Sequence, residues 1–246
     1  MVKQRVSFDS VAEIYDETRS LPSHAMKELV KTILTQLSRY KNILDVGVGT
    51  GRFAEPLRKK GFKVVGVDIA GKMLEKAREK NVDNLLRGDV CLLPFRDDVF
   101  DASICIHLLH LVSEWKLAVS EICRVTKEVM LSVVYTSENV VGQVYNSILE
   151  RYGYVSRRVG KGECELKELV EPARSVFATS YRNDFGEYLE HLSRKAYSRQ
   201  WEIPEEVNRM VIEELRRRFD GTVSIAKLRV LLWDIDDLKE YCSTPE

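Results

Sequence analysis

Residues 43–52 read Ile-Leu-Asp-Val-Gly-Val-Gly-Thr-Gly-Arg, and this stretch decides the fold class. The apolar run before the first glycine is typical of a buried strand in a parallel sheet. Three glycines at alternate positions then predict a turn whose main chain passes close to a bound molecule, because no Cβ stands in the way. We therefore expect a small-molecule site at the carboxyl end of this strand. Taken alone, the same glycines also fit a tight turn without a ligand.

The composition narrows the class of protein. The 246 residues contain 38 Lys and Arg against 38 Asp and Glu, so no net charge favours nucleic acid or an anionic membrane as partner. No stretch approaches the roughly 18 apolar residues of a membrane span, and the first residues lack the apolar segment of a secretory signal. Five widely separated cysteines predict neither a disulfide framework nor a metal site. We expect a cytoplasmic protein, with a homodimer as one possible oligomeric state.

The order of apolar patterns predicts alternating strands and helices. Between residues 23 and 136, helical segments separate five predicted strands, near 43–47, 63–67, 84–87, 102–106 and 129–135. This alternation favours a parallel sheet with helical crossovers. Later segments predict helices at 141–152, 184–198 and 205–219, and strands at 175–181 and 225–233.

These patterns together predict an α/β fold with a Rossmann-like, doubly wound sheet of seven strands. Most strands are expected to be parallel, with an antiparallel edge strand. Residues 1–136 and 223–246 form the predicted core. Residues 137–222 form a predicted, mainly helical cap, which is inserted before the last strand and includes one sheet strand near 175–181.

Carboxylates follow the next two predicted strands. Asp68 ends the second strand, 17 residues after Gly51, where a carboxylate accepts hydrogen bonds from ribose hydroxyls in folds of this type. Asp89 follows the third strand, and residues 100–107 bring a fourth strand to the same edge. Asp68 alone also fits a helix cap, and Asp89 alone also fits a loop contact. Their placement at successive strand ends favours a ligand site.

The glycine spacing bears on the choice of ligand. A dinucleotide fingerprint requires a glycine at position 52, but this position is Arg52 and the third glycine is Gly51. A nicotinamide oxidoreductase is therefore disfavoured.

With these motifs, the chain resembles the class I S-adenosylmethionine-dependent methyltransferases, in the broad group that includes quinone- and biotin-pathway enzymes. The resemblance covers almost the whole length. Further markers are Tyr15-Asp16, Leu93-Pro94-Phe95, and a run from His107 to Val112 with Trp115. The chain departs from the usual pattern at Val48, where Cys or Ala is common, and at Lys127-Glu128, where Pro-Gly often stands.

The resemblance implies S-adenosylmethionine as cofactor and a small-molecule methyl acceptor. Asp68 would take the ribose hydroxyls, Asp89 would face the adenine amine, and Asp45 would lie near the amino group of the methionine part. An N-terminal helix would fold over the site. The implied cofactor-contacting set is Tyr15, Arg19, Asp45, Gly47, Val48, Gly49, Gly51, Asp68, Ile69, Met73, Gly88, Asp89, Val90 and Ile106.

Two histidines are candidates for a general base. His107 and His110 follow the fourth strand and are three residues apart, so they lie close together if this segment is helical. Both also fit a structural role in which they bind loop backbone. In the predicted cap, four aromatic residues either line the acceptor pocket or form the core of the cap, namely Tyr145, Tyr152, Tyr197 and Trp201.

Other functions remain open at this level. The same core serves methyltransferases that modify RNA or protein, and a non-catalytic module would bind the cofactor without transferring a methyl group. Nucleic acid is the less favoured partner, because Arg216, Arg217 and Arg218 occupy the last turn of a predicted helix, where the dipole favours cations.

Overall fold

The computed structural model describes residues 7–137, 140–154, 162–219 and 223–244. Seven strands form one sheet in the order β3-β2-β1-β4-β5-β7-β6. Strands β1 to β5 are parallel, and β7 runs antiparallel between β5 and the edge strand β6. The mostly parallel sheet with an antiparallel pairing at its edge is confirmed. The strands are β1 (Asn42–Val46), β2 (Lys63–Asp68), β3 (Leu85–Arg87), β4 (Phe100–Cys105), β5 (Thr126–Tyr135), β6 (Arg174–Asp184) and β7 (Val223–Asp234).

Helices cover the sheet, and four of them lie between β5 and β7 in the described part of the sequence. Those before β5 are α1 (Ala12–Arg19), α2 (Ser23–Gln36), α3 (Ala54–Lys59), α4 (Gly71–Glu79) and α5 (Trp115–Val125). Each of α3, α4 and α5 connects two strands, as predicted. The later helices are α6 (Val140–Arg151), α7 (Glu163–Leu169), α8 (Phe185–Ser193), α9 (Glu205–Phe219) and α10 (Ile235–Ser243). The sequence patterns did not predict α7 and α10.

The central strands are buried because helices cover both faces of the sheet. Ile43, Leu44 and Val46 of β1 are fully buried, and they divide between two apolar clusters on opposite faces of the sheet. An apolar run without alternation is what a strand covered on both faces requires. The carboxyl ends of β1, β2, β3 and β4 meet at one edge, which positions the residues after them around a common space.

Helices α6, α8 and α9 form a third apolar cluster of their own, which contains Tyr145, Phe185 and Leu215. This cluster comes from the segment predicted as a cap, although the exact domain boundaries stay a prediction. Among the described residues, no helix is long and apolar enough to cross a membrane.

Candidate functional site

A cleft of about 1400 Å³ opens at the carboxyl ends of the parallel strands. Helix α1 and the residues between β5 and β7 supply its other walls. The cleft brings together most of the predicted site residues: Tyr15, Arg19, Gly47, Gly49, Asp68, Ile69, Met73, Gly88, Asp89, Val90, Ile106, His107 and His110.

The glycine turn after β1 has the left-handed backbone that its sequence predicts. Gly47, Gly49 and Gly51 have φ values of +71°, +55° and +75°, a region that side chains with a Cβ rarely adopt. The turn is tied to β2 because the N–H groups of Gly47 and Val48 both donate to the carbonyl of Val67, at 2.8 and 3.0 Å. The main chain therefore enters the cleft in a fixed conformation.

Three residues of the predicted cofactor set do not line the cleft. Asp45 is only 5% exposed, and it lies beneath the turn. Val48 packs over Gly66 of β2, where an added Cβ would come within 2.8 Å of the Val48 side chain. Gly51 faces α4 and the residues after it, since a Cβ there would meet Ala77 of α4 at 3.2 Å and Val82 at 3.0 Å. These positions serve the packing of the turn, and their direct contact with a ligand stays a prediction that this geometry does not favour.

Asp68 holds the turn from the end of β2. One of its carboxylate oxygens accepts the N–H of Gly49 at 2.9 Å, and the other accepts the N–H of Ala70 at 2.8 Å. Burial raises the pKa of Asp68, and these backbone hydrogen bonds oppose that rise. An ionised carboxylate has about four lone-pair sites, so acceptor capacity remains for a hydroxyl group of a ligand in the cleft.

The wall of the cleft beyond Asp68 consists of apolar side chains and one acidic residue. Ile69, Met73 and Val90 line the cleft between β2 and the loop after β3. One carboxylate oxygen of Asp89 accepts the N–H of Cys91 at 2.9 Å, so Asp89 does support its loop while it lines the cleft. A flat apolar ring with a polar edge would fit this wall.

The amino-terminal helix α1 closes the cleft with cations. Arg19 donates to the carbonyl of Ala196 at 2.8 Å, and Arg52 donates to the carbonyl of Arg19 at 2.6 Å. Asp16 lies 3.9 Å from Arg52 and also binds Lys80. Arg19 Nη1 and Arg52 Nη2 are buried and have no hydrogen-bond partner among the described residues. Arg52 was missed as a site residue, although it directly follows the last glycine of the turn.

His107 follows β4 with a left-handed φ of +57°. Its ring stacks on the ring of Tyr135, with centroids 5.8 Å apart, and is accessible from the cleft. Surrounding protein and the nearby His110, Arg52 and Arg19 lower the pKa of His107 to about 4. The imidazole is therefore neutral at pH 7, in the form that accepts a proton.

A buried carboxylate supports the segment after β4. Glu163, at the start of α7, is 4% exposed and accepts the N–H of Leu108 at 2.9 Å and that of Leu109 at 3.4 Å. Burial raises the pKa of Glu163, while these donors lower it. No local sequence pattern indicates this contact, which joins residues 55 positions apart.

The strand order, the glycine turn and the acids after β2 and β3 define a Rossmann-like α/β core with a ligand cleft at the strand ends. Residues 44–129 match the family model described as a methyltransferase domain. The resemblance inferred from the motifs is thereby confirmed for this segment.

Curated relatives of similar sequence are also methyltransferases. The chain is 34% identical over 124 residues to the demethylmenaquinone methyltransferase of Renibacterium salmoninarum, covering 49% of this chain and 52% of that protein. It is 34% identical over 122 residues to the malonyl-[acyl-carrier protein] O-methyltransferase of Yersinia pestis, covering 49% and 45%. The chain thus spans about half the length of these curated relatives.

A solved structure extends the likeness of fold beyond that half. The magnesium protoporphyrin IX methyltransferase of Synechocystis PCC 6803, solved with bound SAH, superposes with a TM-score of 0.55 at 14% identity. The superposition covers 92% of this chain and 95% of that one. The likeness of fold therefore extends across most of the length of the chain.

Proposed function

We propose that this protein is an S-adenosylmethionine-dependent methyltransferase that transfers a methyl group to a small-molecule acceptor by in-line displacement. The observation that carries the proposal is the cleft at the strand ends of the methyltransferase domain. Its polar groups suit the cofactor, because the carboxylate of Asp68 lines the cleft beside the glycine turn and buried guanidinium nitrogens lack a hydrogen-bond partner among the described residues.

The chain offers a group for each part of the cofactor. Asp68 would accept hydrogen bonds from the ribose hydroxyls, and Asp89 would accept one from the adenine amine. Ile69, Met73 and Val90 would pack against the adenine ring, since they line that wall of the cleft. Three further lining residues, Gly47, Gly88 and Ile106, would contact the cofactor through their main chain.

The carboxylate of the cofactor would bind the cations of α1 and the turn. Arg19 and Arg52 each keep a buried N–H group without a hydrogen-bond partner in the described part of the chain. A buried donor without a partner costs about 1–3 kcal/mol, and a carboxylate between these groups would remove that cost. The ring centroid of Tyr15 lies 5.9 Å from the guanidinium carbon of Arg19 and 5.5 Å from that of Arg52, so the ring contacts both cations at the edge of the cleft.

Bound S-adenosylmethionine supplies a methyl group on a positively charged sulfur, which leaves as a neutral thioether. The protein therefore needs mainly to align the acceptor atom and to exclude water. Alignment of this kind is worth effective concentrations of roughly 10⁵–10⁸ M. Helix α1 and the helices between β5 and β7 enclose the space in which this alignment would occur.

His107 is the better placed of the two histidines to take a proton from the acceptor. Its neutral ring lies at the end of β4 and faces the cleft. His110 also lines the cleft, and its proximity contributes to the lowered pKa of His107. We assign the general base to His107 for acceptors that must lose a proton during transfer.

We further propose a small molecule as the acceptor, because the cleft is walled on several sides and the chain has balanced charge. Of the four cap aromatics, Tyr197 and Trp201 line the cleft, while Tyr145 is buried in the third apolar cluster. A cytoplasmic location and a homodimer stay predictions.

Binding and transfer test the proposal separately. Isothermal titration calorimetry with S-adenosylmethionine, S-adenosylhomocysteine and NAD should show binding of the first two alone. Methyl-labelled S-adenosylmethionine, incubated with the protein and a small-molecule extract, should then yield a labelled product by mass spectrometry. Binding of NAD alone would contradict the proposed function. Cofactor binding without transfer to any extract fraction would define a non-catalytic module.

A further inference from the structure

A second cationic site lies in the cleft on the side of the inserted helices. Arg199 belongs to a 3₁₀ turn, Ser198–Gln200, between α8 and α9. Its guanidinium carbon is 4.7 Å from the ring centroid of Tyr145 and 5.4 Å from that of Tyr197, and it donates a hydrogen bond to the hydroxyl of Tyr188. Arg199 lines the cleft together with Tyr188 and Tyr197.

This arginine is held in place but not neutralised. Its neighbour Gln200 is fully buried and donates to the carbonyl of Leu192 at 2.7 Å and to Asn208 at 2.9 Å, which fixes the turn. Arg199 Nε is buried without a hydrogen-bond partner, and no ion pair joins Arg199 to a carboxylate within the described ranges. A positioned cation that lacks a counter-charge in a walled cleft is costly unless an anion binds there.

A second observation points to the same conclusion. Arg19 lies 4.0 Å from the ring of Tyr197, which Arg199 also contacts, so two guanidinium groups share one aromatic ring. Burial and then the nearby cations Arg52 and Arg199 lower the pKa of Arg19, offset in part by Tyr197 and Tyr15. One anion cannot satisfy all three arginines if the cofactor carboxylate occupies Arg19 and Arg52. Arg199, on the inserted segment, is left for another ligand.

We propose that Arg199 binds an oxyanion of the methyl acceptor, a carboxylate or a phosphate, with Tyr188 beside it and the apolar body of the acceptor against Tyr197 and Trp201. This inference rests on the proposed function and specifies the class of substrate. Arginine suits the role because its planar fork binds two oxygens of one group. The aromatic side chains provide a flat apolar surface next to the charge.

Probe binding tests the anion site without requiring the natural acceptor. The probes are benzoate, phenyl phosphate and the neutral benzamide, each titrated by thermal melting of protein saturated with S-adenosylhomocysteine. A ligand that binds only the folded state raises the melting temperature. Benzoate or phenyl phosphate should raise it for the wild type, and benzamide should raise it less. Which of the two anions is the stronger ligand distinguishes a carboxylate site from a phosphate site.

Variants locate the effect. Arg199→Gln should weaken binding of the anionic probe about 10- to 100-fold, as expected for the loss of one charge-assisted pair. Arg199→Lys keeps the charge without the planar fork, so its affinity for the anionic probe should lie between those of the wild type and Arg199→Gln. Arg217→Gln, at an exposed position on α9, is the matched control and should bind the probe as the wild type does. Equal binding of benzoate and benzamide, no binding of either anion, or full binding by Arg199→Gln would overturn the proposal.

Turnover gives an independent readout. An extract passed over anion-exchange resin before the reaction should carry the acceptor in the retained fraction. With that fraction, Arg199→Gln should raise the acceptor KM while leaving the affinity for S-adenosylmethionine unchanged. Methyl transfer only to unretained compounds would refute the anion site but leave the methyltransferase assignment intact. If S-adenosylhomocysteine does not bind, the proposed function fails, and the probe titration of the unliganded protein still decides the role of Arg199.

Discussion

The carboxyl group of Asp45 provides the sharpest test of the charges beneath the glycine turn. Asp45 is 5% exposed in β1, and its Oδ2 has no hydrogen-bond partner in the part of the chain that the structure describes. Burial, and next the negative charge of Asp68, raise the pKa of Asp45 to about 8. The folded, unliganded protein therefore carries a proton on Asp45 at neutral pH, which the unfolded chain does not.

This difference fixes the sign of a pH effect. Between pH 4 and pH 8 the folded state binds one proton more than the unfolded state at this position, so stability falls as the pH rises. For one proton the loss over two pH units is roughly 3 kcal/mol. Asp45→Asn replaces the protonated acid by a neutral group of the same shape. The variant should therefore lack the pH dependence of stability that Asp45 causes. Relative to the wild type, its stability should rise as the pH rises.

The assay is urea unfolding of both proteins, without cofactor, at pH 5, 6 and 7. The difference in the free energy of unfolding should change by roughly 3 kcal/mol across this range, in favour of Asp45→Asn at pH 7. Asp101→Asn is the control. The slight burial of Asp101 raises its pKa, but hydrogen bonds from Asn42, Lys127 and Lys41 lower it below the usual value. The stability that Asp101 contributes is therefore lost only in more acidic solution, outside the range of the assay. A constant difference for Asp45→Asn between pH 5 and 7 would show that Asp45 is ionised in the folded protein.

Three further substitutions test the site. Asp68→Ala removes the acceptor for two backbone donors and for the proposed contact with the ribose hydroxyls. The Kd for S-adenosylmethionine, measured by calorimetry, should therefore rise on the order of 100-fold. A change below threefold would refute the ribose assignment. Glu163→Ala leaves the buried N–H of Leu108 without its acceptor, so the melting temperature should fall by about 5–10 °C, whereas Glu163→Gln keeps an oxygen and should fall less; equal losses would refute the hydrogen-bond argument. His107→Asn should lower kcat about 10²- to 10⁴-fold without changing cofactor affinity, and the wild-type rate should stay level from pH 6 to 8 because His107 is already neutral there; an unchanged kcat would exclude it as the base.

The sheet and its cleft could be predicted because their signals are local. An apolar run that ends in alternate glycines specifies both a buried strand and the left-handed turn that follows it, and the carboxyl ends of parallel strands must meet at one edge. Asp68 was therefore correctly expected beside the turn. Helix α3 begins only at Ala54, because the turn after β1 continues to residue 53.

The remaining features depend on contacts between distant residues. Glu163 was not predicted because acidic residues are mostly exposed, and only the folded chain shows that its carboxylate accepts from the loop after β4. Arg19 reaches Ala196, 177 positions away, and nothing near either residue indicates the contact. Gly51 was assigned to the cofactor because the glycine pattern looks the same whether a glycine faces a ligand or, as here, the side chain of Val82.

The distribution of charge in the cleft also argues for a zwitterionic nucleoside over a dinucleotide. The N–H of Gly49 is already donated to Asp68, so the turn presents an acid where a dinucleotide would place its diphosphate. Arg19 and Arg52, which also line the cleft, each keep a buried guanidinium nitrogen without a hydrogen-bond partner among the described residues. A ligand with an ammonium and a carboxylate on one short chain, attached to a ribose, would match both signs. A diphosphate would pair with the cations but would also have to approach the carboxyl group of Asp68.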